Sequence, residues 1–399
     1  MNRIFKVFFI IALLSAFSCR NANQQQYVWH DKNNLSDIPV PVSIDLSNRN
    51  GNFAITHGDS IYPIQQDGDS GWVILNPGMI SNAPELTLQR ANNRNKRPDI
   101  SLEQTDSILT LSIRNQPVLT YVTGLANVPG RSDSIYARNG FIHPLWSPNG
   151  AVLTAIHPQD HLHHLGLWHP WTKAVFRGHE IDFWNLGDKK GTVRFTKMIK
   201  IDKGPVFTGF TAEHIFYQIK DESQLIPVIN ENFTVRLWNI PEINGYLIDY
   251  NYTQKCATED SVQLPQYRYG GFGFRGTEEW HNENRIYLSS EGNDLYSADG
   301  ARARWCIVGG ETAEGLSSVL FMSHPSNHEY PEPMRIWGDF SDEVFFNFCP
   351  IKKHAWTFYP GKTYQFRYRI YVCDTILNKE KADLLWQAYA ESRYLEPKN

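Results

Sequence analysis

Apolar and polar residues alternate along much of this chain with a period of two. In "TYQFRYRIYVCD", Tyr364, Phe366, Tyr368, Ile370 and Val372 share one face, while Gln365, Arg367, Arg369 and Tyr371 share the other. That spacing predicts a half-buried strand. From about residue 108 onward, "SILTLSIR", "PVLTYVTG", "AVLTAIHP", "GTVRFTKMIKI", "HIFYQIKD", "ENFTVRLW" and "GYLIDYNYTQKC" alternate or run apolar in the same way. "RARWCIVGG", "LSSVLFMSHP" and "VFFNFCPI" continue the pattern. Only the tail, "NKEKADLLWQAYAES", has helical spacing, which brings Leu384, Leu385 and Ala388 onto one face. So many strands with a single short C-terminal helix predict an all-β protein, a large antiparallel β-sandwich.

The pattern thins toward the N-terminus. "VPVSIDL", "SGWVIL" and "ELTLQRA" are β-prone, but Asn, Gly and Pro clusters such as "SNRNGN" and "ANNRNKRP" interrupt them. Residues 35–110 are expected to form a small β segment ahead of a sandwich domain over 111–399. The first 18 residues read as an export signal, with Arg3 and Lys6 before the apolar core "VFFIIALL", which is too short to span a membrane. Cys19 follows Ala16-Phe17-Ser18, an arrangement that resembles a bacterial lipobox, and residues 19–34 read as an acylated tether. The tether has no acidic run, so the expected location is the outer membrane, facing the periplasm, with the lipid as the one membrane contact.

Charge narrows the partners. A formal net charge of −4 without Lys/Arg blocks argues against nucleic acid. Beyond Cys19, Cys256, Cys306, Cys349 and Cys373 fit no zinc ribbon or CxxC motif. Disulfides and buried free thiols both suit them.

The candidate chemistry is concentrated. "HPQDHLHHLGLWHPW", residues 157–171, holds five histidines, an aspartate and two tryptophans. Pro158 is expected to end the preceding strand. If the segment then stays extended, His161 and His163 share a face; if it makes a helical turn, Asp160 and His161 each meet His164. Either arrangement permits an Asp–His pair, in which a carboxylate fixes the imidazole tautomer and raises its basicity. A divalent metal is a second use, with His161 and His163 as two ligands and His157, Asp160 or His324 as a third. The third alternative is packing of satisfied histidines against tryptophan. Trp168, Trp171 and Trp184 could face sugar C–H groups, and Trp168 or Trp171 is the expected stacking platform.

Two further stretches offer partners. "QYRYGGFGFRGTEEW", residues 266–280, brings Arg268 and Arg275 as donors and Glu278 and Glu279 as carboxylates. Its glycines precede no helix, so it is no nucleotide loop. "HPSNHEYPEPMRIW" carries His324, His328 and Arg335 in a Pro-rich loop of the kind that often bears function.

The segment "FIHPLWSPNGAVLTAIHPQDHLHHLGLWHPW…EIDFW", residues 141–184, with the later blocks "SHPSNHEYPEPMRIW", "FFNFCP" and "PGKTYQFRYRIYVCD", resembles the PmoA-like family of exported bacterial proteins. The shared pattern falls on Ser147, Pro148, Gly150, Pro158, Asp160, His161, His163, His164, Gly166, Leu167, Trp168, Asp182, Phe183 and Trp184. The resemblance implies a fold similar to the galactose-mutarotase supersandwich and an association with glycan breakdown. It does not imply a reaction. The family's "methane oxygenase" label does not suit this chain, which has no apolar run of about 18 residues beyond its first segment.

These readings predict a glycan-active lipoprotein taking an oligo- or polysaccharide, most simply a glycoside hydrolase that needs no cofactor. Hydrolysis needs two carboxyl groups about 5.5 Å apart for retention, and farther for inversion. Asp160 with Glu278 or Glu279 would supply them, with His161, His163 or His164 as acid/base and Arg268, Arg275 and Arg335 holding substrate oxygens. A lyase or sugar epimerase using His with Arg is the nearest alternative, and a non-catalytic glycan-binding lipoprotein is the third.

Overall fold

The computed structural model describes residues 25–29, 38–76, 86–91, 99–131, 134–221, 224–338, 341–391 and 393–398. The signal segment and Cys19 lie outside the described residues. Among the described residues no helix is long and apolar enough to cross a membrane.

The architecture is the expected large antiparallel β-sandwich with one short C-terminal helix. Its central layer is an eight-stranded sheet, in the order Gly191–Lys203, Phe207–Asp221, Gln224–Trp238, Tyr246–Cys256, Tyr364–Cys373, Gly315–Ser323, Trp305–Thr312 and Arg285–Ser289. A nine-stranded sheet covers one face of it. That sheet runs from Arg302–Ala303 through Glu332–Ile336, Phe345–Phe348, Gly273–Arg275, Leu167–Trp168 and Phe141–Leu145 to the strands over 100–122. The alternation read from the sequence decides what each face meets. Phe366, Tyr368, Ile370 and Val372 enter the core between the two sheets. Tyr371 and Cys373, on the other face, enter a second core with the N-terminal sheet and the helix.

The N-terminal sheet differs from expectation at both ends. Residues 25–29, expected to belong to the tether, are instead a strand of this sheet, and the inner strand Tyr394–Pro397, from the far end of the chain, pairs between Gln25–Trp29 and Val40–Asp45. The strand Ile100–Gln104 already belongs to the nine-stranded sheet, as the hairpin partner of Ile108–Ile113. The structural border therefore falls before residue 100, next to the Asn-rich break over 91–98: persistent alternation starts only near 108, but hairpin pairing across a short turn already holds Ile100–Gln104 in the larger sheet. The helix Lys379–Ala390 starts at Asn378, whose side-chain oxygen accepts from the Lys381 backbone N–H. Cys256, Cys306, Cys349 and Cys373 are free thiols, three of them buried.

A polar node crosses the main core. Glu231, buried in the central sheet, accepts through Oε1 from His169 Nε2 and His214 Nδ1, each at 2.7 Å, and through Oε2 from Gln254 Nε2 at 2.5 Å. The other imidazole nitrogens face Tyr250 Oη at 2.6 Å and Tyr121 Oη at 2.5 Å. Burial alone would raise the Glu231 carboxyl, but the flanking histidines more than offset it and hold it at about 2. Removing a buried, hydrogen-bonded carboxylate strands its donors. Glu231→Ala should therefore lower unfolding stability by about 3–5 kcal/mol, read as a shift in the urea denaturation midpoint.

Candidate active site

The histidine-rich segment is neither extended nor helical. His161 N–H donates to the Pro158 carbonyl at 3.0 Å and His164 N–H to the His161 carbonyl at 2.9 Å, so two tight turns follow one another. His157, with φ of 49°, opens the loop, and its N–H donates to the His164 carbonyl at 2.9 Å. His157 Nδ1 lies 2.6 Å from the Leu162 carbonyl oxygen. That oxygen can only accept, so the nitrogen carries the hydrogen. Gly166 closes the loop with φ of 70°, and a β-carbon there would sit 2.4 Å from the Ile142 carbonyl oxygen.

The turns gather three imidazoles beside a tryptophan. The His161 ring lies 4.7 Å from His164 and 4.6 Å from Trp337, and His163 stands edge-on to both histidines. Asp160 meets His161 rather than His164, with Oδ2 accepting from His161 Nδ1 at 2.8 Å. Arg275, with its side chain only 1% exposed, grips the same carboxylate with both terminal nitrogens at 2.9 Å. Its guanidinium also lies 5.0 Å from the Trp337 ring centre. Burial alone would raise the Asp160 carboxyl; the His161 hydrogen bond and the Arg275 charge outweigh it and hold it below the usual carboxylate range. A charged Asp160 obliges His161 to protonate Nδ1, so the neutral ring offers Nε2 as its base.

Asp160 and His161 line a cavity of about 550 Å³, with His163, His164, Trp184, Asn185, Tyr269 and Trp337 among its walls. Arg268, Arg335, Ser341, Glu343 and Phe345 complete it. Burial pushes the His163 imidazole down to about 4, aided by the His161 charge, and pushes His164 down further. Opposite them, Asp182 is fully buried; its Oδ1 caps the Trp184 and Asn185 backbone N–H groups at 2.9 and 2.8 Å. Its Oδ2 accepts from Asn185 Nδ2 at 2.8 Å, and that amide reaches Tyr269 Oη at 3.0 Å. Burial raises the Tyr269 phenol to about 12, so it stays protonated and stands in the cavity as a hydrogen-bonding hydroxyl.

Of the residues proposed from sequence, Asp160, His161, His163, His164, Arg268 and Arg335 line this cavity, and Arg275 braces it from behind. Others lie elsewhere. Glu278 and Glu279 are exposed beyond the cavity, Glu279 Oε2 accepting from the Ala313 N–H at 2.7 Å. The strand Gly273–Arg275 ends just before them, so the chain has turned away from the site. Trp168 and Trp171 are both core residues at 1% and 0% exposure, one packed under His164 and the other bonded to Gln254. The exposed stacking platform expected from either is absent; Trp184 and Trp337 form the cavity's indole walls instead. His324 packs on Tyr389 of the helix, and His328 stacks on Trp356 at 3.8 Å. Among the described residues, three potential ligand atoms converge at one group, His169, His214 and Glu231, and not at His161 and His163. In that group both nitrogens of each ring already have hydrogen-bond partners.

Trp337, Glu343 and Phe345 were missed, since no spacing rule links them to residue 160. They arrive because Phe345–Phe348 pairs with Gly273–Arg275, two strands from Phe141–Leu145. Asn185 had a usable signal, directly after the D-F-W element.

The model of a family of unknown function (DUF6807) matches residues 109–387. No curated protein matches the sequence. Among solved structures, a GH36 α-galactosidase from Geobacillus stearothermophilus is 10% identical, with 70% of this chain and 40% of that one covered, at a TM-score of 0.33. A galactose mutarotase related enzyme from Lactobacillus acidophilus is 10% identical over 70% of this chain and 100% of that one, also at 0.33. Heparan sulfate lyase HepC from Pedobacter heparinus is 9% identical over 76% of this chain and 39% of that one, at 0.26. This chain thus spans about two fifths of the galactosidase and of the lyase. At these TM-scores the likenesses to carbohydrate-active enzymes are distant.

The depressed His163 sets a pH dependence. The unfolded chain protonates it near 6.5 and the folded one near 4, so the unfolded state takes up the proton first as pH falls. The stability this residue gives by staying neutral is full above 6.5 and drains away down to about 4. The melting temperature should therefore fall across that interval, and His163→Gln should flatten part of the slope.

Proposed function

We propose that this chain, which belongs to the DUF6807 family of unknown function, carries out acid–base chemistry on a glycan. His161 is the base, Asp160 sets its tautomer, and Arg275 keeps Asp160 charged and still. The observation that carries this reading is the Arg275–Asp160–His161 chain of hydrogen bonds at the cavity wall. A cavity of about 550 Å³ suits a small sugar unit, and aromatic faces beside amide, hydroxyl and guanidinium groups suit its mixed surface.

Proton abstraction, as in epimerisation or elimination, fits better than hydrolysis by two carboxylates. Both Asp160 oxygens are held by Arg275, and its depressed carboxyl is a poor acid. His161, once protonated, can return that proton to the carbon or to a departing oxygen, and the Tyr269 phenol, kept protonated by burial, can hydrogen-bond the oxygen that gains charge. Hydrolysis is the second reading, favoured by one observation: Glu343 lines the same cavity. The N-terminal segment extends the proposal to an exported lipoprotein acylated at Cys19, facing the periplasm.

Protein incubated in D₂O with neutral and uronate-containing oligosaccharides should place deuterium on a sugar carbon, or create an unsaturated sugar, by NMR. His161→Ala should slow this by about 10²–10⁴-fold, while His328→Ala should leave it unchanged. New reducing ends that survive His161→Ala and vanish in Glu343→Gln would replace this reading with hydrolysis.

A further inference from the structure

Arg268 is a wall residue of two hollows. One is the cavity above; the other is an adjoining cleft of about 580 Å³ whose walls include Gln266, Tyr267, Lys352 and Lys353. Asp299 joins the two on another side. Its Oδ2 accepts from Arg335 of the cavity at 3.0 Å, and its Oδ1 from Lys352 of the cleft at 3.0 Å. A single carboxylate thus serves two cations. Arg268 and Lys353 are exposed, and neither has a carboxylate partner among the described residues. Arg268 rests against the rings of Tyr267 and Tyr269, its guanidinium 6.0 and 5.6 Å from their centres, which holds it at the junction.

This cationic strip is no by-product of composition, because the chain as a whole carries a net charge of −4. Cations gathered around one cleft repel one another, and an anion placed between them turns that cost into attraction. The planar guanidinium fork matches a carboxylate or sulfate, and a neighbouring ammonium adds a point charge. We infer that cavity and cleft together bind an anionic oligosaccharide. The reacting unit occupies the cavity, an acidic neighbouring unit occupies the cleft, and Arg268 stands between them. The inference rests on the glycan reading of the cavity and adds to it the substrate's charge.

Calorimetric titrations with cellotetraose, tetragalacturonate and a heparin-derived tetrasaccharide, at low and high salt, test it. At least one acidic probe should bind about tenfold or more tighter than the neutral one, and salt should weaken that binding. Which acidic probe wins distinguishes carboxylate from sulfate. The double variant Arg268→Ala/Lys353→Ala should lose the advantage with an unchanged circular dichroism spectrum, and Arg268→Lys should keep part of it. Equal binding of neutral and acidic probes, or full acidic binding by the double variant, would overturn the inference while leaving the cavity a glycan site. Failure of every probe to bind would overturn both.

Discussion

An ionised carboxylate inside an apolar core has to be surrounded by donors, and Glu231 meets that demand from both sides of the sandwich. His214 and Gln254 come from the same sheet, and His169 from just beyond the strand Leu167–Trp168 of the facing one. Tyr121 of the facing sheet closes the far end of His214. An apolar core tolerates many small slides of one sheet over another, whereas a hydrogen-bonded carboxylate tolerates few. The position of Glu231 therefore governs how the two sheets meet.

That node also anchors the back of the histidine-rich segment. His169 binds Glu231, and Trp171 donates to Gln254 at 2.8 Å. The front is anchored separately, where Arg275 takes Asp160 in both hands. Between these ends the chain has two tight turns, Gly166 and the short strand Leu167–Trp168, so its imidazoles have little freedom to leave the cavity wall, where His161 stacks on His164 and His163 stands edge-on to both. The five histidines thus divide by environment. His157 satisfies backbone, His169 completes the core node, and His161, His163 and His164 face the cavity.

Strand periodicity made the sandwich legible, since alternation in stretches such as Tyr364–Cys373 records burial directly. The terminal helix was legible from its helical spacing, although of Leu384, Leu385 and Ala388 only the last two are buried and Leu384 is exposed. Position 160 was legible because Asp, His and Trp were crowded there beyond what packing needs. Its opposite wall was not. Glu343 and Trp337 reach the cavity through strand order, and pairing between distant strands leaves no local trace in sequence. Glu278 and Glu279 misled because adjacency to Arg275 was taken for adjacency in space. A strand sends successive side chains to opposite faces, and here the chain also turns away after Arg275. The tryptophans misled in the other direction: Trp168 and Trp171 are the core on which the site stands.

The clamp on Asp160 limits which reactions the cavity can support. A carboxylate gripped bidentately has spent its lone pairs on position and charge, and is slow to attack carbon or to donate a proton. What it gives instead is a fixed tautomer for His161, whose neighbours His163 and His164 are kept neutral by burial. On the proposed chemistry, this trio serves as one base with two neutral walls, and Tyr269, bonded to Asn185 and through it to Asp182, is a hydrogen-bond donor facing them.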